Sequence, residues 1–131
     1  MKTDDATKDS AEIRAMIVRW AGAVRARDIR TILANHSEDI LMFDVPPPAQ
    51  LRGIEAYKKS WEPFFASFGD KGVWDISDIA VHAGGDVAFA TALVLCRGCE
   101  GVDLSVRLTV GLRKFGGAWN VVHEHHSVPA A

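Results

Sequence analysis

The second half of the chain leaves little choice of fold class. Residues 73–82 form a strand-like run that ends at Gly84-Gly85-Asp86, and residues 87–97 form an apolar run suited to a central strand covered on both faces. Residues 103–115 lead into Gly116-Gly117, a two-residue hairpin turn, and residues 118–128 close at Pro129. Consecutive strands joined by tight turns predict an antiparallel meander, and a meander of this apolarity must bury one face.

The first half supplies the cover. Ile13, Met16, Ile17, Trp20 and Val24 recur at helical spacing, with Arg14, Arg19 and Arg25 off the stripe. Asp9 or Ser10 is the expected N-cap, which leaves residues 1–9 as a flexible N-terminal tail. Asp28 reads as the cap of a short helix over 29–35. A first strand over 40–43 ends at Asp44 and Val45-Pro46-Pro47-Pro48, whose prolines cannot donate to a ladder. A third helix is expected over 54–68, with Pro63 kinking or dividing it. The order is that of a single α+β domain over 1–131, with helices against one face of a mostly antiparallel sheet.

Composition narrows the function classes. With 15 Lys and Arg against 17 Asp and Glu, the chain of 131 residues lacks the basic excess of a nucleic-acid binder. No apolar run approaches a membrane span, and the polar N-terminus does not read as a signal peptide, so a soluble, cytoplasmic protein is expected. Cys96 and Cys99 stand in a C-x-x-C inside CRGCEG. A redox motif of that spacing should open a helix, and a zinc site needs a second ligand pair, so free thiols at a strand end are expected.

MFDVPPP ahead of RGIEAYKKSW, followed by RLTVGLRKFGGAWNVVHEHHSVP, resembles the SnoaL-like, ketosteroid-isomerase-related branch of the nuclear transport factor 2-like superfamily. The likeness runs from about residue 10 to the end, and W-x-x-V-H-E-H-x-S-x-P is its most specific piece. A similar run occurs in the association domain of calmodulin-dependent kinase. The resemblance implies a cone: a strongly bent sheet wrapping the N-terminal helices, with a central pocket at the open end. It also implies a homodimer through the convex face of the sheet. Enzymes, binding modules and assembly domains share this fold, so the function must come from the site.

Strand alternation decides which side chains reach the pocket. A two-residue turn at Gly116-Gly117 sets Thr109 opposite Glu124 and Arg107 opposite His126 on one side. Val110 then faces His123, and Leu108 faces His125, on the other. A three-residue loop slips the pairing by one and swaps the histidines that accompany Arg107. If the apolar face of Leu104, Val106, Leu108, Val110 and Leu112 is core, His123 and His125 line the pocket. The kinase association domain suggests the reverse, with Arg107, Thr109, Glu124 and His126 facing the cavity, and this is the arrangement expected here.

Asp44, beside Phe43, Tyr57 and Trp61, is placed as a partly desolvated general base; its plain alternative is a turn cap. Tyr57, Trp61 and Phe65 follow at four-residue steps and form a pocket wall or, equally, ordinary core. His123 and His125 could begin a metal site with His36, His82 or Asp44, but the sequence gives no convergence of ligands, so neither metal nor cofactor is expected. The reading is a small-molecule cavity of isomerase, cyclase or dehydratase type. In it, Asp44, Glu124 and His126 are catalytic, and Tyr57, Trp61, Phe65, Arg107 and Thr109 bind substrate. A non-catalytic dimeric binding or assembly module is the alternative.

Overall fold

Turn chemistry sets the topology. Gly85-Asp86 joins Gly84 to Val87 and Gly116-Gly117 joins Phe115 to Ala118, each a two-residue hairpin turn whose glycines have positive φ. The computed structural model describes residues 2–99 and 102–130. Three helices, α1 (Lys2–Ala26), α2 (Ile29–Leu33) and α3 (Ile54–Ser67), accompany six strands. These are β1 (His36–Phe43), β2 (Leu51–Arg52), β3 (Phe68–Gly84), β4 (Val87–Cys99), β5 (Val102–Phe115) and β6 (Ala118–Ser127). They form one sheet in the order β2-β1-β6-β5-β4-β3. The expected meander is β3 to β6, and β1 joins its far edge parallel to β6.

The helices cover one face. Ile13, Ile17, Trp20, Ala21 and Val24 of α1 are buried in one core with Ala90 and Ala92 of β4, and α1 lies chiefly against β3. Residues 2–9, expected as a tail, form the first turns of α1. The Asp9 carboxylate accepts from Lys114 Nζ at 3.1 Å and Trp119 Nε1 at 3.1 Å, which anchors α1 to the β5–β6 turn. Asp28 caps α2 by accepting from the Thr31 N–H. Pro63 lies inside α3, which runs through it as one helix. Among the described residues, no helix is long and apolar enough to cross a membrane. The expected free thiols are corrected at Cys96, which is disulfide-bonded.

The register of the last hairpin departs from expectation. The two-residue turn is present, and Phe115 pairs with Ala118 through to Leu112 with Val121. Then Gly111 pairs with His123, so Val122 is an extra residue, a β-bulge. Gly111 fits this spot: a Cβ there would stand 3.3 Å from the His123 Cβ. Beyond the bulge, every β6 side chain has changed face relative to the simple count. Val110 pairs with Glu124 and Leu108 with His126, while Thr109 pairs with His125 and Arg107 with Ser127. The apolar face of β5 is therefore core, as one reading held, yet it carries Glu124 and His126 inward in place of His123 and His125.

Candidate active site

The bulge puts a carboxylate where a meander strand should carry an apolar side chain. Glu124 is 1% exposed, and its neighbours are donors from three other places in the fold. His36 at the start of β1 approaches Oε2 through Nε2 at 2.7 Å. Tyr57 of α3 donates its hydroxyl to the same oxygen at 2.8 Å. His126, two residues along β6, donates from Nε2 to Oε1 at 3.0 Å. The Tyr57 oxygen in turn accepts the Trp20 indole N–H at 3.1 Å, and His36 Nδ1 donates to the Ala34 carbonyl at 2.9 Å. The network thus ties α1, α3, β1 and β6 together around one buried charge.

Electrostatics follow from that geometry. Burial opposes the charge on Glu124, but hydrogen bonds from His126 and His36, with the positive charge of His36 beside it, outweigh it, bringing its pKa down to about 2. For His36, burial likewise disfavours the cation, and the bond to Glu124 with its negative charge overcomes it, so the pKa is raised. Tyr57 is pushed well above the ordinary phenol value by burial and by the Glu124 charge, so its proton stays on the oxygen. The Trp61 N–H lies near enough to lower the Tyr57 pKa slightly, yet it is buried without a hydrogen bond of normal geometry.

Beside the network lies a cavity of about 490 Å³. Its walls are apolar: Trp61 and Phe64 from α3, Trp74 from β3, Val94 from β4, and Leu104 and Val106 from β5. Asp44 and Pro46 of the proline-rich arm line it, and His126 and Ser60 provide polar groups. His126 is the hinge between the two features. Its Nε2 is held by Glu124, its ring meets those of Trp20 and Trp61 edge-on at 6.4 and 6.5 Å, and its Nδ1 carries no hydrogen bond among the described residues. A second, water-sized space of about 30 Å³ lies behind the network, lined by His36, Glu124, Trp20 and Arg19.

Of the residues expected from sequence, Asp44, Trp61 and His126 line the cavity, and Glu124 and Tyr57 stand behind it. Phe65 stacks on Trp61 at 5.8 Å, outside the lining. Arg107 and Thr109 are corrected: they alternate with the core residues Leu108 and Val110 and so stand on the outer face of β5, and the bulge in β6 parts them from Glu124 and His126. Arg107 is exposed there and donates to Ser127 Oγ and the Val128 carbonyl, each at 3.2 Å. The expected Arg107–Glu124 pair therefore does not form. Asp44 accepts the Val45 N–H at 2.8 Å, so the turn contact is real and coexists with a place on the cavity wall. His36 was weighed only as an added metal ligand, and Trp74 was not expected at the site. Gly111, isolated inside a strand-like run, was the available signal for the bulge. Among the described residues, no group of three or more His, Cys, Asp or Glu side chains is placed to hold a metal.

Comparisons place this geometry among known folds. A crystal structure of an NTF2-like protein of unknown function from Pseudomonas putida KT2440 superposes with a TM-score of 0.89 at 39% identity, covering 96% of this chain and 90% of that one. A ketosteroid isomerase-like protein from Erwinia carotovora atroseptica gives 0.75 at 19% identity, with 94% and 98% covered. A dehydratase candidate of the NTF2-like family from Streptomyces avermitilis gives 0.80 at 18%, with 95% and 99% covered. The latter two identities speak for the fold alone. No curated protein matches. The family model of the SnoaL-like domain matches residues 13–131, nearly the whole folded chain, and the protein belongs to that family.

Proposed function

We propose that the protein binds an apolar, cyclic, carbonyl-containing metabolite in the 490 Å³ cavity and moves a proton on it without a cofactor. The observation that carries this reading is His126: an imidazole fixed at one nitrogen by a buried carboxylate, on the wall of an otherwise apolar chamber. A carboxylate can only accept, so Nε2 of His126 holds the hydrogen and Nδ1 is the basic nitrogen. In an aromatic-walled cavity a C–H beside a carbonyl is the proton such a base can take, and transfer by a positioned base contributes about 10²–10⁴-fold. Asp44, on the same cavity wall, is the second proton-transfer group: it donates a proton at a different atom and regains one from solvent, to which His126 releases the proton it took. Ser60 also lines the cavity, with its hydroxyl donating to the Tyr57 carbonyl at 2.6 Å. Isomerase and dehydratase chemistry both need this pair of groups, and the ketosteroid isomerase-like and dehydratase-candidate neighbours are in keeping with either.

Binding and turnover separate in one experiment. Trp61 and Trp74 line the cavity, so a panel of cyclic ketones and enones should quench tryptophan fluorescence on binding. Turnover is then followed in wild type, His126→Gln and Asp44→Asn. Retained binding with lost turnover in the variants supports the reading. Binding without turnover in wild type would make the protein a non-catalytic binding module instead. The same proposal has a second copy packing on the outer face of the sheet, where Phe89 and Leu93 are exposed. Light scattering on Leu93→Glu tests it, with a wild-type dimer converted to monomer as the expected result.

A further inference from the structure

One titratable group is left without a task by that reading. His36 is sealed behind Glu124, its side chain 4% exposed, on the side away from the cavity. Its atoms decide its charge. Nδ1 stands 2.9 Å from the Ala34 carbonyl oxygen, and a carbonyl can only accept, so Nδ1 carries a hydrogen. Nε2 stands 2.7 Å from Glu124 Oε2, which already receives the Tyr57 hydroxyl at 2.8 Å. An ionised carboxylate can only accept, so Nε2 of His36 is a donor too.

The two imidazoles on Glu124 therefore differ in kind. A proton is best held where both ring nitrogens meet acceptors, and only His36 has that arrangement. His126 meets an acceptor at Nε2 alone. We infer that His36 is a buried imidazolium that neutralises Glu124 and so leaves His126 an uncharged imidazole, with Nδ1 free to act as a base. Without that compensation, the full Glu124 charge would act on His126 and draw the proton onto it.

The surrounding charges fit this division. His36 faces Glu124 from β6, Tyr57 from α3 and, across the small space behind it, the exposed Arg19 of α1. Arg19 opposes the His36 charge, but it is screened by solvent, while Glu124 is in hydrogen-bond contact. His126 faces Glu124 on its own strand, the Trp20 and Trp61 rings from α1 and α3, and Asp44 on the cavity wall. In this account His36 is a positioning residue: it never meets the ligand, and it acts through Glu124. That role in proton transfer rests on the function proposed above, whereas the two charge states do not.

Ring ¹⁵N NMR of the full chain tests the inference without any ligand. At neutral pH, the expected pattern for His36 is both ring nitrogens protonated, and for His126 the neutral Nε2–H tautomer. His36→Gln keeps a donor to Glu124 but removes the charge. In it His126 should gain the second ring hydrogen at neutral pH, so that both of its nitrogens read as protonated. A neutral His36 in wild type, or a His126 ring pattern unchanged in His36→Gln, overturns the inference. If that variant does not fold, the wild-type ring pattern alone decides. Should the pattern hold while no ketone is turned over, the function proposed above fails and the charge assignment stands.

Discussion

Two buried carboxylates sit at opposite ends of the β5–β6 hairpin, and they are built for different work. Asp9 accepts from Lys114 and Trp119 near the turn, with no titratable histidine among its hydrogen-bond partners and no place in the lining of the large cavity. Its pKa is lowered chiefly by the Trp119 hydrogen bond and further by Lys114. Glu124 accepts from two histidines and a tyrosine, and one of those histidines opens onto a chamber of about 490 Å³. A buried carboxylate by itself says little about function, since structural ion pairs shift pKa values as catalytic ones do. What separates the two is the partner set. A lysine and an indole give a fixed clamp, whereas imidazoles can pass a proton to something next to them.

The largest expected effect falls on the Glu124 end. Glu124→Ala leaves the His36 cation buried and three donors unpaired, which should cost about 3–5 kcal/mol in chemical unfolding or prevent folding. Acid should act next. Glu124 falls from an ordinary 4.5 to about 2, so its contribution is complete above 4.5 and is lost as pH drops through about 2. That difference corresponds to on the order of 3 kcal/mol. His36 has the opposite sign: its raised pKa contributes stability fully below 6.5, lost as pH rises through the folded value. The two windows report one interaction, and Glu124→Gln should flatten both in a stability-versus-pH series. A Glu124→Gln profile that matches wild type would remove the distinction between the two carboxylates.

Asp9→Ala should cost about 1–3 kcal/mol through the lost bonds to Lys114 and Trp119. Ligand affinity should stay unchanged in the same variant, because its effect is confined to the clamp. Val94→Phe should do the reverse. Val94 lines the cavity, so the larger ring fills empty space, costs less than about 1.5 kcal/mol, and weakens ligand binding more than tenfold in a fluorescence titration. Arg107→Ala should do least, within about 0.5 kcal/mol and without effect on turnover, since that guanidinium is exposed on the far face. Loss of turnover there would revive the register in which Arg107 faces the cavity.

The sequence made the meander legible because its signals are local: glycine turns and alternating apolar residues name their own strands. The α1 stripe was legible for the same reason, although its first turns, polar and ending in Asp9, read as a tail. What escaped was non-local. The pairing of β1 with β6 joins residues more than eighty positions apart, and it is this that carries His36 to Glu124. One inserted residue, Val122, then reversed the side on which Arg107 and Thr109 stand relative to Glu124 and His126. Counting from the turn cannot detect such a bulge, and only Gly111 hinted at it. Asp44 at a strand end and Trp61 on a helix face were placed by residue type and position alone, whereas the choice of His126 over His123 and His125 hung on the register.

The central claim is that His126, oriented by Glu124, is a base facing an apolar chamber. Deuterium incorporation beside the carbonyl of a bound cyclic ketone, followed by proton NMR in D₂O, tests it most directly. Wild type and Arg107→Ala should exchange that position well above the buffer rate, and His126→Gln should lose about 10²-fold or more of the acceleration. Exchange in His126→Gln at the wild-type rate, or none above buffer in wild type for any ketone that binds, would contradict the account.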